Sequence, residues 1–535
     1  MSGSALLLVE TDWPVSLYSM DAGVGYYQIT TGVATDDDDF IVGGTGGLGI
    51  APANGDIGEL VKSYSITRGR SSELDRPTAG MATIVVDNPS AVFSPLNTTG
   101  CLSGSLLPRR SLSIAWRYEP GTAGAAASKF YRFTGRITRI TPEPTVEGGR
   151  QAVITAIDDF NEMQRLTTRS TLYQDVKSGC LAASLLTDAG YFSSCRSIAD
   201  GQDTYTYAYF ERRKLDEVLV DIERTEYGFM YVRGDGALVF HDRHYRSTTL
   251  VVSASFIDTM SRITYSRSDD GLSTEAEVPY NPKTIEGDTT IWTLQDPLSI
   301  AACSTASFFG NYLDPNTCQL VPAFGVASPV FAAATAPAAC FYSTSVASLG
   351  TATHSDMSAS FTAFAESFKF AASNGGSATN WLTGLTTTGC PLVGYEESTA
   401  RWLDATACGL YGLRTLTYGG QNLIHTSDKA RDFAQFLVNR FKDPQNLDES
   451  TLTIHPKNDT LWEQILRREI DDRIAVTNSV LGISGQDFFI GKINEEWSVA
   501  IPMAPTVTWE LERATAQNDF VADYSLINSS DGWWY

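Results

Sequence analysis

Between Ser299 and Asn380 the chain carries only four charged side chains, Asp314, Asp356, Glu366 and Lys369. The rest is mainly Ala, Ser, Thr, Gly and aromatics, with Pro scattered through 315–337. Ser and Gly alone would read as a flexible linker. Phe308, Phe309, Tyr312, Phe331, Phe341 and Phe361 are too many aromatics for that, because rings on this scale need a core. The stretch reads as an inserted domain with low-charge surfaces that pack against other subunits. A chain of 535 residues holds about three or four domains. With 43% hydrophobic and 19% charged residues it belongs with folded globular proteins.

Periodicity organises what surrounds this block. Residues 81–86 and 111–117 read as strands, with Leu112, Ile114 and Trp116 on one face, since strand side chains repeat every second residue. Residues 130–140 form another, with Gly135 placed as at a bulge or barrel corner. Residues 152–157 form a fourth, and Asp158 caps a helix carrying Phe160, Met163 and Leu166. In 214–227, Leu215, Val218, Leu219 and Ile222 repeat at helical spacing and Gly228 serves as the stop. Phe229–Arg233, Gly234-Asp-Gly236 and Ala237–His241 then make a β-hairpin. Residues 426–442 open on a Ser/Asp cap and place Phe433, Phe436, Leu437 and Phe441 on one helix face. Strands follow at 451–455, 486–491 and 506–511. The fold class is therefore α+β, β-rich and multi-domain: small β-barrel or β-sandwich domains, a few amphipathic helices, and an insertion. The divisions fall at 1–165, 166–285, 286–420 and 421–535.

Thirty-nine basic against sixty-two acidic residues leave a net charge of −23. Such a surface repels phosphate backbones and anionic lipid, which argues against sequence-specific nucleic-acid binding and membrane docking. No apolar run reaches about 18 residues, so no membrane span is expected. The opening Met1–Glu10 lacks the basic region and apolar length of a secretory signal. The cysteines, at 101, 180, 195, 303, 318, 340, 390 and 408, form no C-x-x-C pair, and reduced structural cysteines are expected. The alternative is a bridge between Cys303 and Cys318 or between Cys390 and Cys408.

Motifs for chemistry are weak. Gly44-Thr-Gly46-Gly-Leu-Gly49 matches G-x-G-x-x-G, but Pro52 and Asn54-Gly55 follow where a helix should start, so it reads as a Gly-rich loop. Asp36–Asp39 lacks the alternating pattern of a calcium loop and reads as solvated. His241 and His244 leave a hairpin strand on opposite faces, an unfavourable start for metal or acid–base work. Arg233-Gly-Asp235 lies on the turn, where Gly and Asp are expected for backbone reasons. The sequons at Asn97, Asn458 and Asn528 carry little weight without a leader. No H-E-x-x-H, G-x-S-x-G or P-loop pattern occurs, so neither catalytic residue, metal ligand nor cofactor is assigned. Trp533, Trp534 and Tyr535 are costly to leave in water and are assigned to an assembly interface.

A series of short segments, in order, is more specific. Ile66-Thr-Arg-Gly-Arg70 leads to Ala79-Gly-Met-Ala-Thr-Ile-Val-Val-Asp-Asn88 and then Phe93-Ser-Pro-Leu-Asn97. Leu107-Pro-Arg-Arg110, Phe133-Thr-Gly-Arg136, Ala156-Ile-Asp-Asp159, Glu226-Tyr-Gly-Phe229 with Gly234–Leu238, Asp487–Gly491 and Val507–Leu511 follow. The series resembles the minor tail proteins, or baseplate hub proteins, of long-tailed bacteriophages, over roughly 60–285 and 420–525. The 286–420 block departs from that pattern. The resemblance implies a non-enzymatic virion protein of the tail tip, assembled in the host cytoplasm. It implies a homo-oligomer, a trimer, that closes the tail tube and meets distal tail, tape-measure and tip or receptor-binding proteins. A negative lumen would let DNA slide past. The alternatives are a receptor- or carbohydrate-binding tip adhesin, from the aromatic-rich block, and a cell-wall-degrading tail enzyme.

Overall fold

The computed structural model describes residues 4–11, 55–75, 78–88, 91–98, 102–120, 127–144, 150–191, 193–249, 251–267, 269–328, 340–343, 356–418, 423–444, 449–499, 504–514, 519–520 and 532–533. Thirteen strands form one sheet, and an early and a late segment of the sequence meet in its middle. The strand Val61–Gly69 pairs with Thr78–Asp87 on one edge and with Ile483–Ser498 on the other, both antiparallel. From Thr78–Asp87 the order runs through Arg150–Ile157, Ser128–Pro144, Ser111–Glu119 and Ser4–Thr11 to Gly55–Asp56. From Ile483–Ser498 it runs through Thr506–Arg513 and Glu449–Ile454 to Arg262–Ser266. These eleven strands form an open path, Arg473–Asn478 branches from Ile483–Ser498 and pairs with Ala254–Ile257, and no barrel closes among the described residues. Leu112, Ile114 and Trp116 share the buried face, as alternation requires.

Gly135 is not the bulge. The extra residues are Arg132, skipped between the pairs Ile114–Phe133 and Ala115–Tyr131, and Thr138, skipped between Ile137–Ala156 and Arg139–Thr155. Gly135 is small because a Cβ there would stand 2.5 Å from the Ile157 carbonyl. The bulge at Arg132 turns a charged side chain into the core. Arg132 Nε donates to Glu495 Oε2 at 2.7 Å, Nη1 donates to the Leu466 carbonyl at 3.0 Å, and Tyr64 Oη donates to Glu495 Oε1 at 2.7 Å.

Beside this sheet lies a smaller unit. The helices Ser178–Asp188 and Leu215–Glu226 cover a three-stranded sheet of Arg196–Ile198, Leu238–His241 and Phe229–Val232. Leu215, Val218, Leu219 and Ile222 are fully buried on the predicted face. The helix ends one residue earlier than its glycine suggests. Tyr227 takes the left-handed conformation (φ 55°), while Gly228 lets the chain pass within 2.6 Å of where a Cβ would meet the His241 carbonyl. The helix Ser427–Phe441 packs Phe433, Leu437 and Phe441 on a sheet of Ser398–Leu403, Glu275–Tyr280 and Thr415–Thr417. Its N-cap is Thr426 with no side-chain cap bond, so Ser427 and Asp428 lie in the first turn rather than capping it.

The charge-poor block is β-structure as well. The fifteen-residue strand Asn380–Gly394 pairs in turn with Lys283–Ile285, Thr289–Thr293, Leu298–Ile300, Ala323–Phe324 and Cys340–Ser343. Against it stands a sheet of Ser304–Asn311, Ser367–Asn374 and Met357–Ala363. Alternation explains how few charges suffice. Ala306, Phe308, Phe361, Phe368 and Phe370 face a core with Ile291, Tyr312 and Leu382, while Thr305, Ser307, Ser358 and Ser360 face water. Phe309 is the exception at 48% exposed. Phe331 and the Phe341 side chain lie outside the described residues. Among the described residues no helix is long and apolar enough to cross a membrane.

Candidate functional site: a buried guanidinium–carboxylate junction

The strand Val61–Gly69 ends in Arg68-Gly69-Arg70, and both arginines turn inward. Gly69 separates them because a Cβ there would stand 2.2 Å from the Gly491 carbonyl, at φ 101°. Arg68 donates to Glu469 Oε1 and Oε2 (2.8 and 3.3 Å) and to the Val232 carbonyl (3.3 Å). Arg70 donates to both oxygens of Glu512 (3.3 and 3.4 Å) and stacks 4.0 Å over the Phe229 ring. The bulge at Gly491 makes the room, since a Cβ there would stand 2.9 Å from Glu512 Oε1.

Arg246, on the short helix Tyr245–Thr248, extends the pairing. Its Nε donates to Asp471 Oδ1 and its Nη1 to Glu512 Oε2, both at 2.6 Å, with Glu73 Oε1 at 3.4 Å. The other oxygen of Asp471 meets His241 Nδ1 at 2.7 Å, and the His241 ring stacks on Tyr245. Arg440, from the helix Ser427–Phe441, donates to Glu73 Oε2 at 3.0 and 2.8 Å. The large sheet, the smaller α/β unit and the third helix-covered sheet thus meet through one run of charges.

Burial opposes the charges of Asp471 and Glu512, and their partners decide the titration. Burial alone would raise the Asp471 carboxyl, but the Arg246 guanidinium and the His241 ring hold it down to about 2. Glu512 is also pushed up by burial and held at about 2 by Arg70 and Arg246. Glu223 goes the other way. Burial raises it to about 8, against the pull of Arg70 and the hydrogen bond it accepts from Met230 N at 3.0 Å. A cleft lined by Arg70, Glu73, Arg246, Arg440 and Asp471 has about 40 Å³ of free space, room for a few waters. Both oxygens of Asp471, Glu512 and Glu73 are already engaged. Guanidinium groups do not give up their proton in proteins. The arrangement therefore works as a clamp.

The residues singled out in the sequence fall as follows. His241 faces Asp471, but His244 starts the helix at Tyr245 instead of continuing the strand, and the two rings do not converge on one ligand. Burial, then the neighbouring Arg243, lowers the His244 ring. Among the described residues no three His, Cys, Asp or Glu side chains stand close enough to hold a metal. Arg233 pairs with Asp235, whose Oδ1 accepts from Ala237 N at 3.1 Å, closing the turn on itself. Asn97 Nδ2 donates to the Ala91 carbonyl, and Asn458 caps the helix Asp459–Arg467 through Leu461 N. Cys180, Cys195, Cys303 and Cys318 are exposed free thiols, and Cys390 and Cys408 are free and half-buried, so neither considered bridge forms. Cys101, the Cys340 side chain, Asp36–Asp39, Gly44–Gly49, Asn528, Trp534 and Tyr535 lie outside the described residues. Trp533 contributes backbone to a two-residue strand beside Asp519–Phe520, and its side chain is likewise outside. Arg68-Gly-Arg70 and Asp487–Gly491 stand out in the sequence as landmarks, but nothing local says that they touch. The one signal along the chain is that each landmark places a glycine beside charged or strand residues.

No protein-family model matches the chain, and no curated protein matches it. Solved structures similar to it include tail proteins. One is the 43 kDa tail protein of prophage MuSo2 from Shewanella oneidensis: 10% identity, TM-score 0.46, covering 96% of this chain and 99% of that one. Another is the tail protein from Neisseria meningitidis MC58: 10% identity, TM-score 0.44, covering 86% and 93%. A third is the prophage tail protein gp18 from Listeria monocytogenes EGD-e: 10% identity, TM-score 0.39, covering 86% and 92%.

Proposed function

We propose that this chain is a structural protein of a bacteriophage tail, placed at the tail tip as a baseplate hub. In this reading it closes or extends the distal tube and joins it to the tip and receptor-binding components during attachment and genome delivery. One observation carries the reading. Four of the segments in which the sequence resembles minor tail proteins, far apart along the chain, come together: Ile66–Arg70, Glu226–Phe229, Asp487–Gly491 and Val507–Leu511 are in contact or in adjacent strands. A junction of engaged charges around a water-sized cleft suits a rigid part and offers no seat for a substrate. The working partners are copies of itself, a trimer by the resemblance, with distal tail, tape-measure and tip proteins around it. Residues 286–420 form the inserted domain in this scheme, and Trp533–Tyr535 an assembly contact. Assembly takes place in the host cytoplasm and the product is part of the virion. Immunogold electron microscopy of phage particles tests this: label at the distal tip of long tails is the expected result, and its absence from intact tails by an antibody proven on native protein refutes it.

A second reading, a receptor- or carbohydrate-binding role for the inserted block, is favoured by Phe324, 41% exposed on its surface. Aromatic faces of this kind stack on apolar sugar faces. Deletion of the block with full host adsorption retained rules it out.

A further inference from the structure

A patch of arginine interrupts the acidic surface where the strand Ser111–Glu119 begins and Arg150–Ile157 ends against the middle of Ser128–Pro144, beside the short helix Phe160–Met163. Backbone pairing brings it together. Arg109 N donates to the Ile137 carbonyl at 2.6 Å, and Ile137 N donates to the Arg110 carbonyl at 2.8 Å. The bulge at Thr138 then matters. It pairs Arg136 with Ile157 and Arg139 with Thr155, two positions on one face of the neighbouring strand. Without the extra residue, side chains three apart would face opposite sides. Arg136 Nε donates to Asp159 Oδ1 at 3.1 Å, Arg109 Nη2 donates to Glu162 Oε2 at 2.5 Å, and Arg165 follows Glu162 through a backbone bond. The remaining carboxylate nearby, Asp158, is buried and turned inward to Gly80 N and Phe160 N. The two surface carboxylates, Asp159 and Glu162, are thus already taken up by Arg136 and Arg109. Arg139 and Arg165 are exposed and have no ion-pair partner among the described residues.

We propose that Arg139 and Arg165, supported by Arg109, Arg110 and Arg136, form a docking surface for an aspartate- and glutamate-rich segment of another protein chain. Charge complementarity selects that partner. Physiological salt screens charges beyond about 8 Å, so a ligand at contact range feels the local arginines. A long polyanion such as nucleic acid also meets the field of a chain at net −23, which repels it. Planar guanidinium groups take carboxylates two bonds at a time. This inference rests on the patch geometry and is independent of the tail reading.

Fluorescence anisotropy of a labelled octa-glutamate peptide with the full chain tests it. Saturable binding that weakens with salt is expected, reduced at least about tenfold in the double variant Arg139→Glu, Arg165→Glu. The variant should melt at the parental temperature, because neither side chain holds the fold. If it does not, Arg139→Gln with Arg165→Gln gives the same reading with a smaller loss. Absence of binding at low salt, or binding indifferent to both substitutions, overturns the proposal. So does tighter binding of a single-stranded oligonucleotide of equal charge through the same arginines.

Discussion

The junction around Arg70 and Arg246 and the charge-poor block solve one problem, burying a core, by opposite means. The junction joins segments up to 442 residues apart through guanidinium–carboxylate pairs with fixed geometry. The block fills its centre with Ile291, Tyr312, Phe368, Phe370 and Leu382. Apolar burial is non-directional and tolerates repacking. A buried ion pair is worth little as net stability yet is severely punished when one partner is lost. The comparison teaches that directional contacts stand where distant segments must be held in register, between units at Arg246 and within the large sheet at Arg132, and non-directional ones where a unit has only to close on itself.

The sharpest way to break the comparison is Arg132→Ala. It strands Glu495, 1% exposed, without its counter-charge, and should cost about 3–5 kcal/mol in guanidinium-induced unfolding. Arg132→Met combined with Glu495→Gln should recover most of that loss, because the desolvation cost then disappears on both sides. Phe368→Ala should cost about 3–4 kcal/mol, confined to the block. Hydrogen exchange that accelerates in 289–311 and 357–394 while 61–87 stays protected is the expected pattern, and equal acceleration in both would show that the two regions unfold together.

The pH dependence separates the regions further. Asp471 and Glu512 lie at about 2, below their ordinary 3.8 and 4.5, so their contribution is complete above about pH 4.5 and is lost as pH falls towards 2. Glu223 lies at about 8, above its ordinary 4.5, so its contribution is complete below pH 4.5 and is lost as pH rises through 8. Glu223→Gln should therefore stabilise the chain by about 2–3 kcal/mol at pH 9 and by nothing at pH 4, read from melting curves across that range. The smallest expected effect on folding is truncation of Trp533–Tyr535. The melting temperature should stay within about a degree, while the yield of assembled particles falls; a parallel drop in both would make the tail part of the core.

Elements with local periodicity are legible from the order of residues alone. The helices Leu215–Glu226 and Ser427–Phe441 and the strand Ser111–Glu119 carry their burial pattern in consecutive residues. Glycines are less legible. Gly135 and Gly228 have the spacing of a bulge and a helix stop, but both are small because another backbone passes close by, which no local pattern reports. The site is illegible for the same reason. Arg68 and Glu469 are 401 residues apart, and sixty-two acidic residues offer too many candidate partners.

By itself, the sequence determined the β-rich class, the departure of the block from its surroundings, and the ordered landmarks. These depend on composition and on spacing along the chain. Only the tertiary structure decided that early and late segments of the chain share one sheet, that single-residue bulges turn Arg132 inward and align Arg136 with Arg139, and that three units meet on Glu73, Asp471 and Glu512. A bulge shifts register by one residue and moves every following side chain to the other face. A buried charge is tolerable only where its partner arrives from elsewhere in the fold. Both are facts of three-dimensional placement.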